Sequence, residues 1–267
     1  MRLSVRHETV FDYDEQPAYA VQRLYLTPPS FASQRILSWK ITAPGIDKAV
    51  SHVDGFGNRV HLVTYGGIKG PVAIIAEGEA ECTDSAGVIR GLPSPAPDAV
   101  FLRQTRATAP SDEIAAMATA SLRPATLDTL HAIMAATYAK VNYEIGTTHA
   151  HTTAAEAFAD GLGVCQDHAH ILVGAARLLG IPARYVTGYL VIADGASSTA
   201  AHAWAEALVP ELGWVGFDAA NNCCPTDHYV RVAGGIDAAG VTPIRGSRRG
   251  GAAERMRVEV RVEIAQQ

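Results

Sequence analysis

Cysteine is scarce in this chain, and its distribution excludes a protein held together by disulfides. The 267 residues include four cysteines, which do not form the disulfide framework of a small secreted domain. Cys223 and Cys224 are adjacent and are therefore poorly placed to bridge each other. We interpret both as reduced thiols without an assigned role.

Long hydrophobic runs are also missing. No stretch approaches the roughly 18 apolar residues of a membrane span, and Met1–Val10 lacks the apolar core of a signal peptide. We therefore expect a cytoplasmic protein without a membrane partner. The net charge of −5 comes without a block of like charges. This balance weakly disfavours a nucleic-acid partner and mainly predicts solubility.

The familiar metal-binding spacings are absent as well. There is no C-x-x-C pair, no H-E-x-x-H run and no calcium loop of alternating Asp or Asn residues closed by a glutamate. Possible ligands lie close in sequence in three groups: His149 with His151, His168 with His170, and Cys223 with Cys224 and His228. On a helix, positions i and i+2 point about 200° apart, so His168 and His170 cannot chelate one ion together. We predict no metal and no other cofactor.

Composition and length indicate a globular protein with a substantial core. Hydrophobic residues make up 48% and charged residues 18% of the chain, unlike a disordered protein. At 267 residues the chain exceeds the usual size of one compact domain, so one large or two modest domains are expected.

The first 84 residues have an almost entirely β pattern. Turn residues separate six predicted strands: Leu3–Tyr13, Ala18–Thr27, Ile36–Thr42, Lys48–Asp54, Arg59–Tyr65 and Val72–Cys82. Such closely spaced strands predict an antiparallel sandwich or a partly closed barrel. We expect a β domain over residues 1–90 and a Pro-rich linker over 91–110, followed by a catalytic domain over 111–267.

The second half combines helices with a later antiparallel sheet, which predicts an α+β fold. Helices are expected from Ser111 to Ser121, from Pro124 to Val141, after Thr153 and from Cys165 onward. Strands are expected at Ala183–Ile192, Ala200–Val209, Gly213–Asp218 and Met256–Ile264. The last of these alternates cleanly and is predicted to close the sheet of this half.

Cys165 is the most informative residue. Two glycines precede it, and Ala169, Leu172, Val173 and Ala176 follow at helical spacing. The unpaired N–H groups and the positive dipole end of a helix N-terminus favour a thiolate, the nucleophilic form. The competing interpretation is a small buried hydrophobic residue.

Two predicted strands supply partners for that thiol. In the run 199–209, His202, Trp204 and Glu206 share one face while alanines occupy the other. Trp214–Asp218 follows after a short connection of the hairpin type, so His202 can lie beside Asp218 on the neighbouring strand. Cysteine, histidine and aspartate are together the parts of an activated thiol.

These segments carry a resemblance to a known family. The matching runs are Gly163–His170 (GVCQDHAH), Leu179–Tyr189 (LGIPARYVTGY), Ala201–Glu206 (AHAWAE) and Gly213–Asn221 (GWVGFDAAN). Their order resembles the transglutaminase-like superfamily of papain-like cysteine enzymes, in particular the bacterial branch with its own N-terminal β domain. The resemblance implies a nucleophile helix packed on a sheet, with Cys165 as nucleophile, His202 as base and Asp218 as orienting acid. The chain departs from the family at Ala219–Ala220, where a Pro-Thr pair commonly follows the aspartate.

The predicted chemistry is thiol-dependent acyl transfer on a peptide or protein amide. Hydrolysis by a cysteine protease or amidase is favoured, with transglutaminase-type cross-linking second and a non-enzymatic peptide-binding module third. The backbone N–H of Cys165 is the natural first oxyanion donor. Gln166, Tyr143 and Asn221 all remain open as the second donor.

Several neighbours are expected to be structural. Trp204 and Trp214 fit the core better than a cleft wall. For Asp167, an interaction with the free N–H groups of the helix is at least as plausible as a catalytic role. For Arg184 an internal salt bridge is favoured over a contact with a substrate carboxylate.

Overall fold

The computed structural model describes residues 1–15, 17–191, 201–250 and 253–265. Within these ranges the chain forms three four-stranded antiparallel sheets, one short parallel pair and four α-helices. The α+β class predicted from the sequence is confirmed. None of the helices in the described ranges is long and apolar enough to cross a membrane.

The elements follow one another in a simple order along the chain. The N-terminal strands are β1 (Arg2–Tyr13), β2 (Tyr19–Thr27), β3 (Gln34–Thr42), β4 (Val50–Val53), β5 (Arg59–Tyr65) and β6 (Val72–Cys82). A mainly helical stretch follows, with α1 (Asp112–Ala120), α2 (Thr126–Lys140), β7 (Asn142–Tyr143), α3 (Ala154–Asp160), β8 (Leu162–Gly163) and α4 (Cys165–Leu178). The remaining strands are β9 (Ala183–Leu190), β10 (His202–Val209), β11 (Gly213–Phe217), β12 (Tyr229–Gly235), β13 (Ile244–Arg249) and β14 (Glu254–Ile264).

The N-terminal strands build two facing sheets. One has the order β14-β1-β6-β3 and the other β13-β2-β5-β4. Alternating side chains from both sheets meet in one apolar core, which includes Phe11, Leu24, Val63 and Ile74. This is the predicted antiparallel sandwich, and all six predicted strands are present within a few residues of their expected bounds.

The last strand lies in a different sheet from the one expected. β14 pairs with β1, with Val262 opposite Val5, and β13 pairs with β2. The expectation that Met256–Ile264 closes the sheet of the second half is therefore wrong. Alternation reveals which face of a strand is buried but not which strand lies beside it. The division into residues 1–90, 91–110 and 111–267 stays a prediction.

The third sheet, called here the His202 sheet, has the order β11-β10-β9-β12. On one face, Ala203, Ala205 and Ala207 of β10 are buried, and β10 and α4 are in extensive contact. Small side chains on this face let a helix lie close to the strand. Ala205 and Ala207 share a core with apolar residues of α1–α4, among them Ile114, Ile133, Phe158 and Leu172.

The opposite face of the His202 sheet carries a buried ion cluster. Glu206 Oε2 accepts from Arg184 Nε at 2.6 Å, and its Oε1 accepts from Arg231 Nε at 2.8 Å. The three side chains lie on three adjacent strands, β9, β10 and β12, and all are at most 5% exposed. The carboxylate therefore cross-links the sheet that carries His202.

Two carboxamides of the sandwich bind the backbone of the outer strand β12. Gln34 accepts from the Arg231 N–H at 2.7 Å and donates to the Arg231 carbonyl at 2.9 Å. Asn58 makes the same pair of bonds with Gly234, both at 2.9 Å. Buried backbone groups need partners, so these two side chains act as a substitute strand along β12.

Removing either carboxamide is expected to weaken the fold. Gln34→Ala and Asn58→Ala each leave a buried backbone N–H and C=O unpaired, so each should lower the free energy of unfolding by about 1–3 kcal/mol. Urea denaturation of the full chain measures this. Asn142→Ala, which truncates an exposed amide, is the control. A loss no larger than that of the control would contradict the role given to the two carboxamides.

Candidate active site

Cys165 is the first residue of α4 and is 9% exposed. The chain enters the helix through β8, which pairs in parallel with β7. Asp167 folds back over this entry, and its Oδ2 accepts from the Val164 N–H at 2.8 Å and from the Thr148 hydroxyl at 2.7 Å. A Cβ on Gly163 would lie 2.9 Å from the Asp167 Cβ, so glycine is required there. The expected stabilising role of Asp167 agrees with these contacts.

The structure places His202 beside Asp218. β10 and β11 pair as the predicted hairpin, and the His202 Nε2 lies 2.7 Å from Asp218 Oδ2. Since Nε2 is bound to the carboxylate, Nδ1 is the nitrogen left to exchange a proton with a thiol. The imidazole can therefore bind the carboxylate through one nitrogen and exchange a proton with the thiol through the other, as nucleophile activation requires.

Asp218 is fully buried and receives several further hydrogen bonds. The Asn221 side-chain amide donates to Oδ2 at 2.7 Å, the Tyr229 hydroxyl at 2.8 Å, and the Ala220 N–H donates to Oδ1 at 3.0 Å. Burial acts to raise the pKa of Asp218, but hydrogen bonds from His202, Asn221 and Tyr229 and the charge of His202 outweigh it and lower that pKa. The carboxylate is thus held charged.

His202 is held as a cation. Burial acts to lower the pKa of its imidazole, but hydrogen bonds with Asp218 and Cys165, reinforced by the charges of both, raise it to about 10. The interaction with Cys165 brings the thiol and the imidazole together. All three residues named from the sequence therefore meet at one place.

The three candidates for a second oxyanion donor have different surroundings. Asn221 uses its amide N–H on Asp218. Tyr143 is 53% exposed. Its partial burial, followed by the charge of Cys165 and a hydrogen bond with it, raises the pKa of Tyr143 to about 12. Gln166 is half-buried at the second position of α4. Of the three, Tyr143 is the one placed against the sulfur.

The tryptophans and Arg184 pack as expected. Trp204 is 2% exposed and stacks on the His202 ring with centroids 6.2 Å apart. Trp214 lies against the Phe101 ring at 5.0 Å and under the Arg184 guanidinium at 4.0 Å. The preference for an internal salt bridge of Arg184 is confirmed by its bond to Glu206.

The histidines and cysteines near the site do not gather into a metal centre. Within the described ranges no group of three or more His, Cys, Asp or Glu side chains is arranged to hold an ion. His168 instead contacts two backbone carbonyls, Val164 O at 2.9 Å through Nδ1 and Val141 O at 3.0 Å through Nε2. It thereby ties the start of α4 to the segment that carries Tyr143.

Sequence reasoning missed Tyr229. Its hydroxyl lies 2.8 Å from Asp218 Oδ2 and 3.4 Å from the Cys223 sulfur. The strand that carries it, β12, was not predicted, and no spacing rule relates Tyr229 to Asp218. Cys223 and Cys224 are free thiols, and Cys223 also pairs with Asp218 directly through two backbone hydrogen bonds.

A two-layer core with a cysteine at a helix N-terminus and histidine and aspartate on the facing sheet defines a class of papain-like folds. Residues 112–219 match the model of the transglutaminase-like superfamily, and residues 3–81 match that of the bacterial transglutaminase-like N-terminal region. The chain therefore belongs to the transglutaminase-like superfamily, in the branch that carries this N-terminal region.

Similar proteins have been found in mycobacteria and in Cytophaga. An uncharacterized Mycobacterium leprae protein is 34% identical over 128 residues, which span 46% of this chain and 45% of that protein. An uncharacterized Mycobacterium tuberculosis protein is 28% identical over 92% of this chain and 87% of its own length. A crystal structure of a candidate cysteine protease from Cytophaga hutchinsonii has a TM-score of 0.77 at 21% identity, covering 100% of this chain and 92% of that one. The last likeness shows the fold.

Removing the Asp218 charge should change how His202 titrates. Asp218→Asn removes the largest influence that raises the His202 pKa, so the value should fall below about 10, which a histidine NMR titration measures. Because the pKa rises from 6.5 to about 10 on folding, the imidazolium stabilises the fold fully below pH 6.5. That contribution is lost as the pH rises through about 10, so the stability lost in Asp218→Asn should shrink over this range.

The control for this experiment is Asp227→Asn. The Asp227 carboxylate lies 3.1 Å from a different histidine, His228, and its loss should leave His202 unchanged. An identical His202 titration in wild type and Asp218→Asn would contradict the charge-paired site.

The ion cluster predicts an acid-dependent stability. Burial acts to raise the pKa of Glu206. The charges and hydrogen bonds of Arg184 and Arg231 outweigh this effect and lower the pKa from 4.5 to about 2. The stabilisation is therefore complete above pH 4.5 and lost as the pH falls through about 2. Glu206→Gln should lower the free energy of unfolding at pH 7 by about 3–5 kcal/mol, since it leaves two buried cations underpaired.

Urea denaturation of Glu206→Gln between pH 7 and pH 2 tests this expectation, and the difference from wild type should shrink toward the acid end. Glu81→Gln, in the exposed pair with Arg35, is the matched control and should change little. A Glu206→Gln protein as stable as the control at pH 7 would show that the cluster is not needed.

Proposed function

We propose that the protein is a thiol-dependent acyl-transfer enzyme with Cys165 as nucleophile, His202 as general acid and base, and Asp218 as the residue that orients His202. We propose further that it hydrolyses peptide or amide bonds, as a cysteine protease or amidase. The observation that carries the proposal is the convergence of the three side chains: Asp218 holds His202 at 2.7 Å, and His202 interacts with Cys165.

The resting site is proposed to be a thiolate–imidazolium pair. With its pKa at about 10, His202 carries a proton on each nitrogen at neutral pH. The proton on Nε2 is bound by the Asp218 carboxylate, and the one on Nδ1 comes from the Cys165 thiol. The sulfur lies at the N-terminus of α4, where unpaired N–H groups favour negative charge.

Acylation then proceeds by attack of the sulfur on the amide carbonyl. A C–S bond forms while the carbonyl electrons move to oxygen, and the backbone N–H of Cys165 and the Tyr143 hydroxyl donate to that oxyanion. On collapse the C–N bond breaks, and the departing amine takes the proton from Nδ1 of His202. The product on the enzyme is a thioester.

Deacylation uses the same groups in reverse. A water molecule gives a proton to Nδ1 while its oxygen attacks the thioester carbonyl. Collapse of this second intermediate releases the carboxylic acid and returns the Cys165 thiolate beside the imidazolium. Asp218 keeps the imidazole oriented throughout and takes no proton.

Hydrolysis is preferred to transfer because a side chain that contacts the nucleophile is open to solvent. Tyr143, which contacts Cys165, is 53% exposed, and this exposure supports the access of water to the thioester. Transglutaminase-type cross-linking, in which an amine takes the place of that water, is the second candidate. It is supported by the family match over residues 112–219.

Replacing the nucleophile or its base should abolish turnover. Cys165→Ser and His202→Ala should each lower kcat/KM on peptide anilides by at least about 10³-fold, because each removes a group that makes or breaks a bond. Release of the aniline measures the rate. Cys224→Ser, which alters a thiol outside the proposed machinery, should retain wild-type turnover.

The same assay separates the alternatives. Addition of a primary amine to the wild-type reaction should leave the free acid as the main product if the enzyme is a hydrolase, whereas a transferase forms the new amide. Iodoacetamide should alkylate Cys165 faster than Cys224, and His202→Ala should remove the difference. Equal alkylation rates in wild type, without turnover of any amide, would refute the enzyme and favour the binding module.

A further inference from the structure

A cavity of about 290 Å³ lies in the N-terminal sandwich, remote from the residues that surround Cys165. It is lined by Phe11 and Tyr13 from β1, Ala20 and Gln22 from β2, Ile244–Arg248 from β13, and Glu254 and Met256 from β14. β13 and β14 are the outer strands of the two facing sheets. The cavity thus opens where the sandwich ends, between two strand edges.

One polar side chain that lines this cavity has an atom without a hydrogen-bond partner. Gln22 is 6% exposed, and its Oε1 is buried without a hydrogen-bond partner in the described residues. An unpaired buried acceptor destabilises the fold. Its neighbours Phe11, Ala20 and Met256 cannot pair with it, so a ligand that brings an N–H group would recover this free energy.

Space for the Gln22 side chain depends on a glycine in the middle of β13. Gly246 lies directly opposite Gln22 in the strand pairing. A Cβ at position 246 would lie 2.7 Å from the Gln22 Cγ and 2.3 Å from the Val21 carbonyl oxygen. A glycine inside a strand weakens it and marks a place of close approach. Because residue 246 has no side chain, the Gln22 carboxamide has room to lie in the cavity.

The same sandwich uses two other carboxamides to bind backbone. Gln34 and Asn58 each exchange a pair of hydrogen bonds with one residue of β12. Gln22 offers the same group beside the strand edges of β13 and β14. The chemistry that matches it is the N–H and C=O of another extended chain.

The charge and the shape of the cavity indicate which kind of extended chain it can bind. Arg245 and Arg248 lie at the cavity together with Glu254, which pairs with Arg248 at 3.1 Å. The lining therefore has one net positive charge. The aromatic and apolar walls from Phe11, Tyr13 and Met256 suit a large apolar side chain.

We propose that this cavity binds an extended acidic peptide segment, which inserts one aromatic side chain between the two sheets and pairs its backbone with the Gln22 carboxamide. The segment belongs to a partner protein. This second site is independent of Cys165 and gives the N-terminal region a binding role of its own.

The probe is the peptide acetyl-Gly-Glu-Phe-Glu-Gly-amide, titrated by calorimetry into full-length Cys165→Ser protein, in which it cannot be consumed. Binding should be saturable. Gln22→Leu, which keeps the size but removes the carboxamide, should weaken binding at least tenfold while the melting temperature stays equal or rises. A purely structural role of Gln22 would instead lower the melting temperature.

Two variants on β14 test where the peptide binds. Met256→Trp fills the cavity and should weaken binding at least tenfold. Val258→Trp, one alternation further along β14 and outside the cavity, should change it less than twofold. The probe with glycine in place of phenylalanine should not bind. Failure of wild-type-like protein to bind the probe, equal binding by Met256→Trp, or equally tight binding of free N-acetylphenylalanine would overturn the proposal.

Discussion

The bond network of Glu206 is the constraint on which the rest of this structure depends. A carboxylate that is fully buried is tolerated only because Arg184 and Arg231 meet it from the two sides. These residues sit on β9, β10 and β12, so one ion cluster fixes the mutual register of three strands. His202 begins β10, only four residues before Glu206. Its position relative to α4 thus follows from the same register.

The sandwich completes this arrangement. The His202 sheet ends in β12, which pairs with β9 on one side. Without Gln34 and Asn58, the backbone groups of Arg231 and Gly234 on its outer side would be left unpaired. β12 also supplies Arg231 to the ion cluster and Tyr229 to Asp218. The N-terminal region therefore stabilises the site indirectly. It binds β12, and β12 in turn carries the side chains that contact Glu206 and Asp218. A transglutaminase-like core on its own would lack these contacts.

Local patterns predicted most of the elements and the central residues of the site. The helix at Cys165, the alternation around His202 and the hairpin to Asp218 depend on side-chain periods and short connections, which are local properties. β12 and β13 were missed because glycines and arginines interrupt their apolar pattern, as in Tyr229–Gly235. Tyr229, Gln34 and Asn58 act across long sequence separations, for which no local pattern exists.

By itself the sequence determined the family, the α+β class, most of the helices and strands, and the three residues that converge on the site. It could do so because the periodicity of apolar residues and the order of the motifs are properties of the linear sequence. Only the tertiary structure decided that the last two strands return to the N-terminal sheets. The same is true of the tyrosine that supports Asp218 and of the unpaired side-chain oxygen of Gln22 beside a cavity. These features depend on which surfaces meet, and the pairing of distant strands is fixed by the packing of the whole molecule.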